Sequence, residues 1–286
     1  MSFELIEAEK GNYPKALMCR ALGLSRSGHH AFTTRGPSRR ELEDERLDVL
    51  VAAAFAELKG RYGAPRIEKE LRARGHRTSK KRVADSMARQ GLISRPRRRW
   101  KKTTDSSHAE PVAPNRLARN FTTDAPDKVW VGDTTYLPVL GGFLFLVVIL
   151  DLFSRKVVGW AMAARMAATL VCDALTMALW RRKRPEGVVA HSDRGGQYCS
   201  AAYQALLAKH KLVCSMSKKG DCYDNAAMES WNHSFKVEAI HGERFATRDE
   251  AKQHTFEYIE VYYNRKRLHS KLGYLSPEAF ELKNVA

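Results

Sequence analysis

Three acidic residues occupy positions where a carboxylate is unusual. Asp133 interrupts an apolar, β-branched segment, "KVWVGDTTYLPV"; Asp193 ends a predicted strand in "HSDRGG"; and Glu229 lies on a predicted helix in "GDCYDNAAMESWNHSFKVE". A carboxylate inside a strand is costly unless it is paired or bound to a cation. Converging oxygen donors without cysteine favour Mg2+ or Mn2+, and two such ions can promote in-line attack at phosphorus. The three acids therefore predict metal-dependent cleavage and transfer of phosphodiesters.

Each acid also has a purely structural interpretation. Asp193 could cap the following turn, Glu229 could pair with a basic residue of its own helix, and Asp133 could be an edge-strand acid. Asp151, which closes "VVILD", is a rival strand-end carboxylate. The residue pattern alone leaves these alternatives open.

The helix that carries Glu229 has two distinct sides. At 100° per residue its apolar residues, Met228, Trp231 and Phe235, form a stripe that is expected to pack in the core. The polar residues gather around Glu229 on another side instead of spreading over the remaining surface. They are Asn225, Asn232, His233 and Lys236.

The positive charge of the chain is concentrated in one segment. The net charge is +17, and residues 59–102 hold 17 Lys and Arg against three acidic residues. Such a localised cluster is typical of a nucleic-acid-binding module, although a solvated basic surface is the alternative.

This basic segment also predicts a helix-turn-helix. A strong helix over 41–59 is followed by "GRYGAP", a helix over about 65–73, a turn at Gly75, and a helix capped by Ser79 and ended by Gly91. The second helix of the pair would present basic side chains to a duplex, and the next stretch, "SRPRRRWKK", would lie along DNA. The predicted DNA contacts here are Lys80, Lys81, Arg82, Arg89, Arg97, Arg98 and Arg99.

Several classes of protein are disfavoured by composition. The longest apolar run, "FLFLVVIL", has eight residues, whereas a membrane span needs roughly 20. The N-terminus lacks an apolar signal core, so we expect a cytoplasmic protein without a membrane partner. The five cysteines are scattered with no C-x2-C pair, which predicts reduced thiols and no zinc site.

Beyond residue 127 the order of predicted elements is β-β-β-α-β-α-β-α, which indicates an α/β domain with a mixed sheet flanked by helices. We divide the chain into five parts. They are an N-terminal helical segment (1–58), a basic helix-turn-helix-like module (59–98), a linker (99–124), a catalytic core (125–240), and a helical and basic tail (241–286).

Longer motifs connect these acids to a known family. The segments "WVGDTTYLP", "HSDRGGQYCS", "SMSKKGDCYDNAAMESWNHSFKVE" and "YYNRKRLHSKLGYLSPEAF" resemble the transposases of bacterial insertion sequences in the retroviral-integrase-like DDE superfamily. The likeness is to the second-frame product of the family typified by insertion sequence three. The spacing of the three acids is part of this likeness, with 59 residues between Asp133 and Asp193 and 35 between Asp193 and Glu229.

This resemblance implies an RNase H-like core in which Asp133, Asp193 and Glu229 bind two Mg2+ or Mn2+ ions. Water or a 3′-hydroxyl at the transposon end would then attack a phosphodiester. The resemblance also implies that Lys236 faces the terminal DNA, so the polar helix side with Asn225, Asn232 and His233 would meet substrate. Asp151 would then belong to the scaffold.

The implied partners are transposon-end and target DNA, a homo-oligomer on DNA associated with the nucleoid, and an upstream-frame helix-turn-helix protein, often fused to this product. Because this chain starts at its own methionine, we expect it to be incomplete for end recognition. Two other functions remain in view. One is an accessory or inhibitory DNA-binding protein, and the other is a nuclease of RNA–DNA hybrids.

Overall fold

The computed structural model describes residues 2–95, 112–217 and 225–285. Six helices precede the sheet in these ranges. They are α1 (Ser2–Glu9), α2 (Lys15–Ala21), α3 (Arg26–Thr34), α4 (Arg39–Glu57), α5 (Ala64–Ala73) and α6 (Lys80–Arg89). None of the helices within the described ranges combines the length and the apolarity that crossing a bilayer would require.

Helices α4, α5 and α6 pack together as one helical unit. Their shared core contains Leu47, Val51, Ala54, Ile67, Leu71, Val83 and Met87. The ends of α6 follow the predicted signals, since the Ser79 side chain accepts from the Arg82 N–H and Gly91 adopts a φ of 62°. These contacts join α4, which the sequence analysis assigns to residues 1–58, to the two helices of the 59–98 module.

A five-stranded sheet follows, with the order β3-β2-β1-β4-β5. The strands are β1 (Val129–Val139), β2 (Gly142–Asp151), β3 (Val157–Ala163), β4 (Val189–Ser192) and β5 (Val213–Met216). β1, β2 and β3 form an antiparallel meander, whereas β4 and β5 run parallel to β1. The mixed sheet, its flanking helices and the preceding helical module confirm the predicted fold class.

Helices cover both faces of this sheet. On one face lie α7 (Ala168–Arg181), the short α8 (Gly196–Cys199) and α9 (Ala201–Lys209). On the other face lie α10 (Ala226–Phe235) and α11 (Arg248–Phe256), which continue as π-helical turns over Lys236–Ile240 and Glu257–Tyr263. A 3-10 turn (Ser270–Leu272) and α12 (Pro277–Asn284) end the chain. The predicted stripe of Met228, Trp231 and Phe235 is buried in the α10 face, as expected.

Candidate active site

The strand register brings Asp133 and Asp193 side by side. β1 and β4 run parallel, and their last pair is Val131 with His191. Each aspartate lies two residues beyond this pair, so the two residues meet where β4 ends. Burial, together with the negative charge of Asp193, raises the pKa of Asp133 to about 7.

The carboxylate of Asp133 is held by two hydrogen bonds. The Thr134 backbone N–H donates to Oδ1 at 2.8 Å, and Nδ2 of Asn232 donates to Oδ2 at 2.6 Å. Asn232 lies on α10, so this helix sets the orientation of a carboxylate on the central strand. Both donors favour the charged form of Asp133 and oppose the effect of burial.

Asp193 is held by the loop that follows β4. The Gly195 N–H donates to its Oδ1 at 2.9 Å. A side chain at Gly195 would place Cβ only 3.1 Å from that same oxygen. The backbone of Gly195 has a φ of −63°, which any residue can adopt. The glycine therefore allows a close approach of the Asp193 carboxylate to the backbone, and any larger residue would have to displace that carboxylate slightly.

Glu229 lies on α10 one turn before Asn232, and its side chain is exposed. In residues 2–95, 112–217 and 225–285, no three His, Cys, Asp or Glu side chains are grouped so that they could hold a metal ion. The structure thus brings together two of the three predicted acids. The pair fits a divalent cation, because oxygen donors with mutual repulsion and little solvent are stabilised by positive charge. A complete triad requires the Glu229 carboxylate to join that pair.

The other polar residues of α10 are divided between different surroundings. Asn225 is buried at the start of the helix and donates to the Gly132 carbonyl at 3.4 Å. Nζ of Lys236 lies 5.2 Å from the centroid of the Tyr136 ring. Burial lowers the pKa of Lys236, and the charge of Asp133 opposes that change. Asn225 and Asn232 therefore contact β1, and the contacts with DNA expected for them stay a prediction.

His233 faces a different part of the molecule. It lines a cleft of about 430 Å³ between α10 and the helical unit, together with Arg61, Arg66 and Arg95. The helical wheel placed His233 beside Glu229, but the cleft places it towards the basic helices.

Asp151, the rival acid, has a structural role. Its carboxylate is buried and accepts from the Ser154 N–H at 2.9 Å, the Ser154 hydroxyl at 3.0 Å and the Asp127 N–H at 2.8 Å. Burial raises its pKa. These bonds hold the turn between β2 and β3, and Asp151 lies opposite Trp130 in the sheet.

Two arginines of α6 pair with acidic residues of α4. Nη2 of Arg82 lies 2.7 Å from Oδ1 of Asp44, and Nη2 of Arg89 lies 2.6 Å from Oδ1 of Asp48. The expectation that both arginines are presented to a duplex stays a prediction, and these contacts show that each is already paired within the protein. The physical reason is the run of acidic residues on α4, which neutralises the neighbouring side of α6.

The lysines at the start of α6 remain on the surface. Lys80 and Lys81 are both exposed. Arg97, Arg98 and Arg99, which were also expected to contact DNA, lie outside the described residues.

Tyr198 is a feature of the site that the sequence analysis missed. Its buried hydroxyl lies 3.3 Å from Oγ1 of Thr134. Burial and the charges of Asp133 and Asp193 raise its pKa well above the usual range. Its position in "GGQYCS", five residues after Asp193, was the available signal.

Comparisons with known proteins agree with this architecture. A family model described as "HTH-like domain" matches residues 41–100, and models described as "Integrase core domain" match residues 123–222 and 229–285. The chain is 49% identical over 288 residues to "Transposase InsF for insertion sequence IS3A" of Escherichia coli (strain K12), with all of each chain covered. The chain belongs to the IS3 family of insertion-sequence transposases.

Further relatives of this IS3-family transposase include a protein from Shigella sonnei, "Insertion element IS600 uncharacterized 31 kDa protein". The two are 41% identical over 266 residues, covering 93% of this chain and 98% of the relative. Among solved structures, a simian T-cell lymphotropic virus intasome aligns with a TM-score of 0.47 and 14% identity, covering 74% of this chain and 70% of the other. The Mos1 mariner transposase catalytic domain aligns with a TM-score of 0.40 and 14% identity, covering 56% of this chain and 76% of the other.

Family membership establishes the broad function. An IS3-family transposase with an integrase core and an HTH-like domain binds DNA and acts in DNA transposition as a polynucleotidyl transferase.

Proposed function

We propose that this transposase cleaves and joins DNA at the Asp133–Asp193 pair, with Glu229 as the third catalytic carboxylate. The observation that supports the proposal is the parallel register of β1 and β4, which places Asp133 and Asp193 side by side where β4 ends, so that their charges repel each other. A divalent cation, Mg2+ or Mn2+, would offset this repulsion. Asp133, Asp193 and Glu229 are the residues that would hold two such ions.

When bound, the ions would supply activation of a water or 3′-hydroxyl and stabilisation of the leaving oxygen. The protein's own side chains orient and balance the site. Asn232 and the Thr134 N–H keep the Asp133 carboxylate in one orientation. Lys236 places a positive charge beside the acids, where a phosphate of the terminal DNA would meet it.

DNA would be held by a larger surface. We infer that Lys80, Lys81 and Arg97–Arg99 contact duplex phosphates, while His233 faces the strand that passes between the helical unit and α10. Because two transposon ends must be joined to one target, we infer a homo-oligomer on DNA, with an upstream-frame helix-turn-helix protein completing end recognition. We place this activity in the cytoplasm, on nucleoid DNA.

The test is a strand-transfer assay on a labelled duplex that carries the end of the element. The protein is assayed with Mg2+, Mn2+ or EDTA, beside Asp193→Asn, Glu229→Gln and the control Asp249→Asn. Asp249 is an exposed acid that pairs with Lys252 at 2.9 Å on α11.

The proposal would be supported by joined products that form only with the metal. These products should disappear in Asp193→Asn and Glu229→Gln and persist in Asp249→Asn. DNA affinity should stay nearly unchanged in all three variants. Substantial joining by a purified triad variant would refute the assignment. Binding without joining by the wild-type protein, alone or with the upstream-frame product, would favour an accessory role.

A further inference from the structure

A cavity of about 490 Å³ opens beside Asp193, towards the sheet face that α7 and α9 cover. Five of its eleven lining residues are aromatic or large apolar residues: Tyr136, Phe143, Phe145, Met166 and Tyr198. The cavity adjoins β1 beyond Val131, where pairing with β4 has ended. A partly apolar hollow therefore lies directly next to Asp193.

The outer wall of this cavity is an exposed aromatic pair. Tyr136 is 38% exposed and Phe143 is 49% exposed, and their ring centroids lie 5.2 Å apart at an interplanar angle of 80°. Nζ of Lys236 lies 5.2 Å from the Tyr136 ring centroid. The ammonium is thus close to the Tyr136 ring and near enough to Asp133 for the charge of that carboxylate to act on it.

This combination suits one kind of ligand. Aromatic faces beside a cation are typical of surfaces that stack unpaired nucleobases, since every base offers a π-face. A scissile phosphate can reach two recessed carboxylates more readily if the neighbouring base leaves the helical stack. An aromatic surface adjacent to the acids would stabilise that base in its unstacked position.

We propose that Tyr136 and Phe143 form a stacking platform for an unpaired nucleobase next to the cleaved phosphodiester, with Lys236 contacting the adjoining phosphate. The platform rests on the proposed function of the Asp133–Asp193 pair. Recognition through stacking tolerates different bases, so the platform positions the DNA end and does not read its sequence.

The experiment uses the full chain and a duplex with a short 3′ overhang containing 5-iodouracil, which photocrosslinks to stacked aromatic rings. At low salt a chain of net charge +17 binds such DNA irrespective of sequence. Crosslinked peptides are mapped by mass spectrometry without added metal, so no bond needs to be cut. The variants are Tyr136→Ala, Tyr136→Trp, Phe143→Ala and the control Phe256→Ala, which removes an aromatic ring with the same 49% exposure from the α11 side.

We expect crosslinks at Tyr136 or Phe143, reduced about tenfold in Tyr136→Ala and retained in Tyr136→Trp and Phe256→Ala. A tenfold loss is the size expected when one base–aromatic stack is removed. The platform would be overturned if no crosslink formed at these residues under saturating protein. It would also be overturned if the crosslink yields were unchanged in both alanine variants. The absence of a crosslink would also be the result if this surface bound another protein instead of DNA.

The two proposals fail in different ways. Strand joining without a crosslink at Tyr136 or Phe143 would overturn the platform and leave the acid pair intact. A crosslink that depends on Tyr136 in a protein that never joins DNA would support the platform while refuting the proposed chemistry. Unchanged melting temperatures for the variants would exclude misfolding as the cause.

Discussion

Nδ2 of Asn232 donates a 2.6 Å hydrogen bond to Oδ2 of Asp133. The bond joins α10 to the central strand, and it connects the helix that carries Glu229 to the acid pair. A side chain that the sequence suggested as a DNA contact therefore acts through another residue of the protein. Side chains that orient metal-binding carboxylates commonly affect both ion affinity and turnover.

Asn232→Ala should lower strand joining by about 10- to 100-fold and raise the Mg2+ concentration needed for half-maximal activity. The loss follows from an Asp133 carboxylate that is no longer held in one orientation. A metal titration of joining measures both effects. Asn284→Ala, which removes an exposed amide bonded to the Phe280 carbonyl, is the matched control. An Asn232→Ala protein with wild-type metal dependence would show that the bond has no part in the site.

Replacing both Lys80 and Lys81 by alanine should reduce the salt dependence of DNA binding. Each lost phosphate contact lowers the slope of log affinity against log salt by about 0.9, so the double variant should lose nearly 2. Arg82→Ala should change the slope by less, because Asp44 already neutralises that guanidinium. Binding isotherms at several salt concentrations measure these slopes. An unchanged slope in the lysine double variant would move the duplex-binding surface away from α6.

Glu238→Gln should destabilise the protein by about 3–5 kcal/mol, the usual cost of breaking a buried ion pair. Glu238 is buried, and its carboxylate receives two hydrogen bonds of 2.7 Å from Arg267 and one of 3.0 Å from the Tyr258 hydroxyl. Without its charge, the buried guanidinium of Arg267 is left uncompensated.

Urea unfolding compares this variant with Glu243→Gln, whose carboxylate lies 3.6 Å from Arg95 and is partly exposed. The control should lose less than about 1 kcal/mol. Equal losses in the two variants would contradict the assigned role of burial. Because Arg66 of α5 also reaches Glu238 at 3.3 Å, the same variant should loosen the junction between the helical unit and the core.

Acidification below pH 6.5 should bring out two opposite contributions to stability: His269 should lower it, whereas Asp133, whose pKa is raised to about 7, should raise it. Burial, together with the positive charges of Arg267 and Arg155, lowers the pKa of His269 from 6.5 to about 3. Below pH 6.5 His269 binds a proton in the unfolded chain but stays neutral in the folded chain. The contribution of His269 to the free energy of unfolding therefore drops by up to about 1.4 kcal/mol per pH unit until the pH reaches about 3.

Urea unfolding between pH 7 and pH 5 tests this pH dependence. The stability of His269→Asn, which cannot titrate at this position, should rise relative to that of the wild-type protein between pH 7 and pH 5. The pH window matters because the pKa of Glu238 is also lowered, and its contribution is lost only as the pH falls below 4.5. Identical pH profiles in the two proteins would show that His269 does not contribute to the pH dependence.

Much of the fold could be predicted because its signals are local. Ser79 and Gly91 mark the ends of α6 through hydrogen bonding and backbone conformation within a few residues. The 3.6-residue stripe of Met228, Trp231 and Phe235 predicts which side of α10 is buried. The order of strands and helices then leaves few possible sheets, and the mixed sheet is the one observed.

The pairings across elements could not be predicted in this way. Asp44 is 38 residues from Arg82, and Glu238 is 29 residues from Arg267. Nothing in the spacing of such residues indicates that they meet. The acids of α4 neutralise part of a surface that composition alone presents as uniformly basic.

The sequence by itself determined the secondary structure, the location of the basic charge and the three acids, because those depend on residue type and short-range periodicity. The tertiary structure decided which groups share a site. Asp133 and Asp193 meet because β1 and β4 pair in parallel. This pairing places the residues that follow Val131 and His191 at the same height along the two strands. Asn232 supports that pair because packing of the apolar stripe turns α10 against β1. Register and packing involve the whole chain, so local patterns do not contain them.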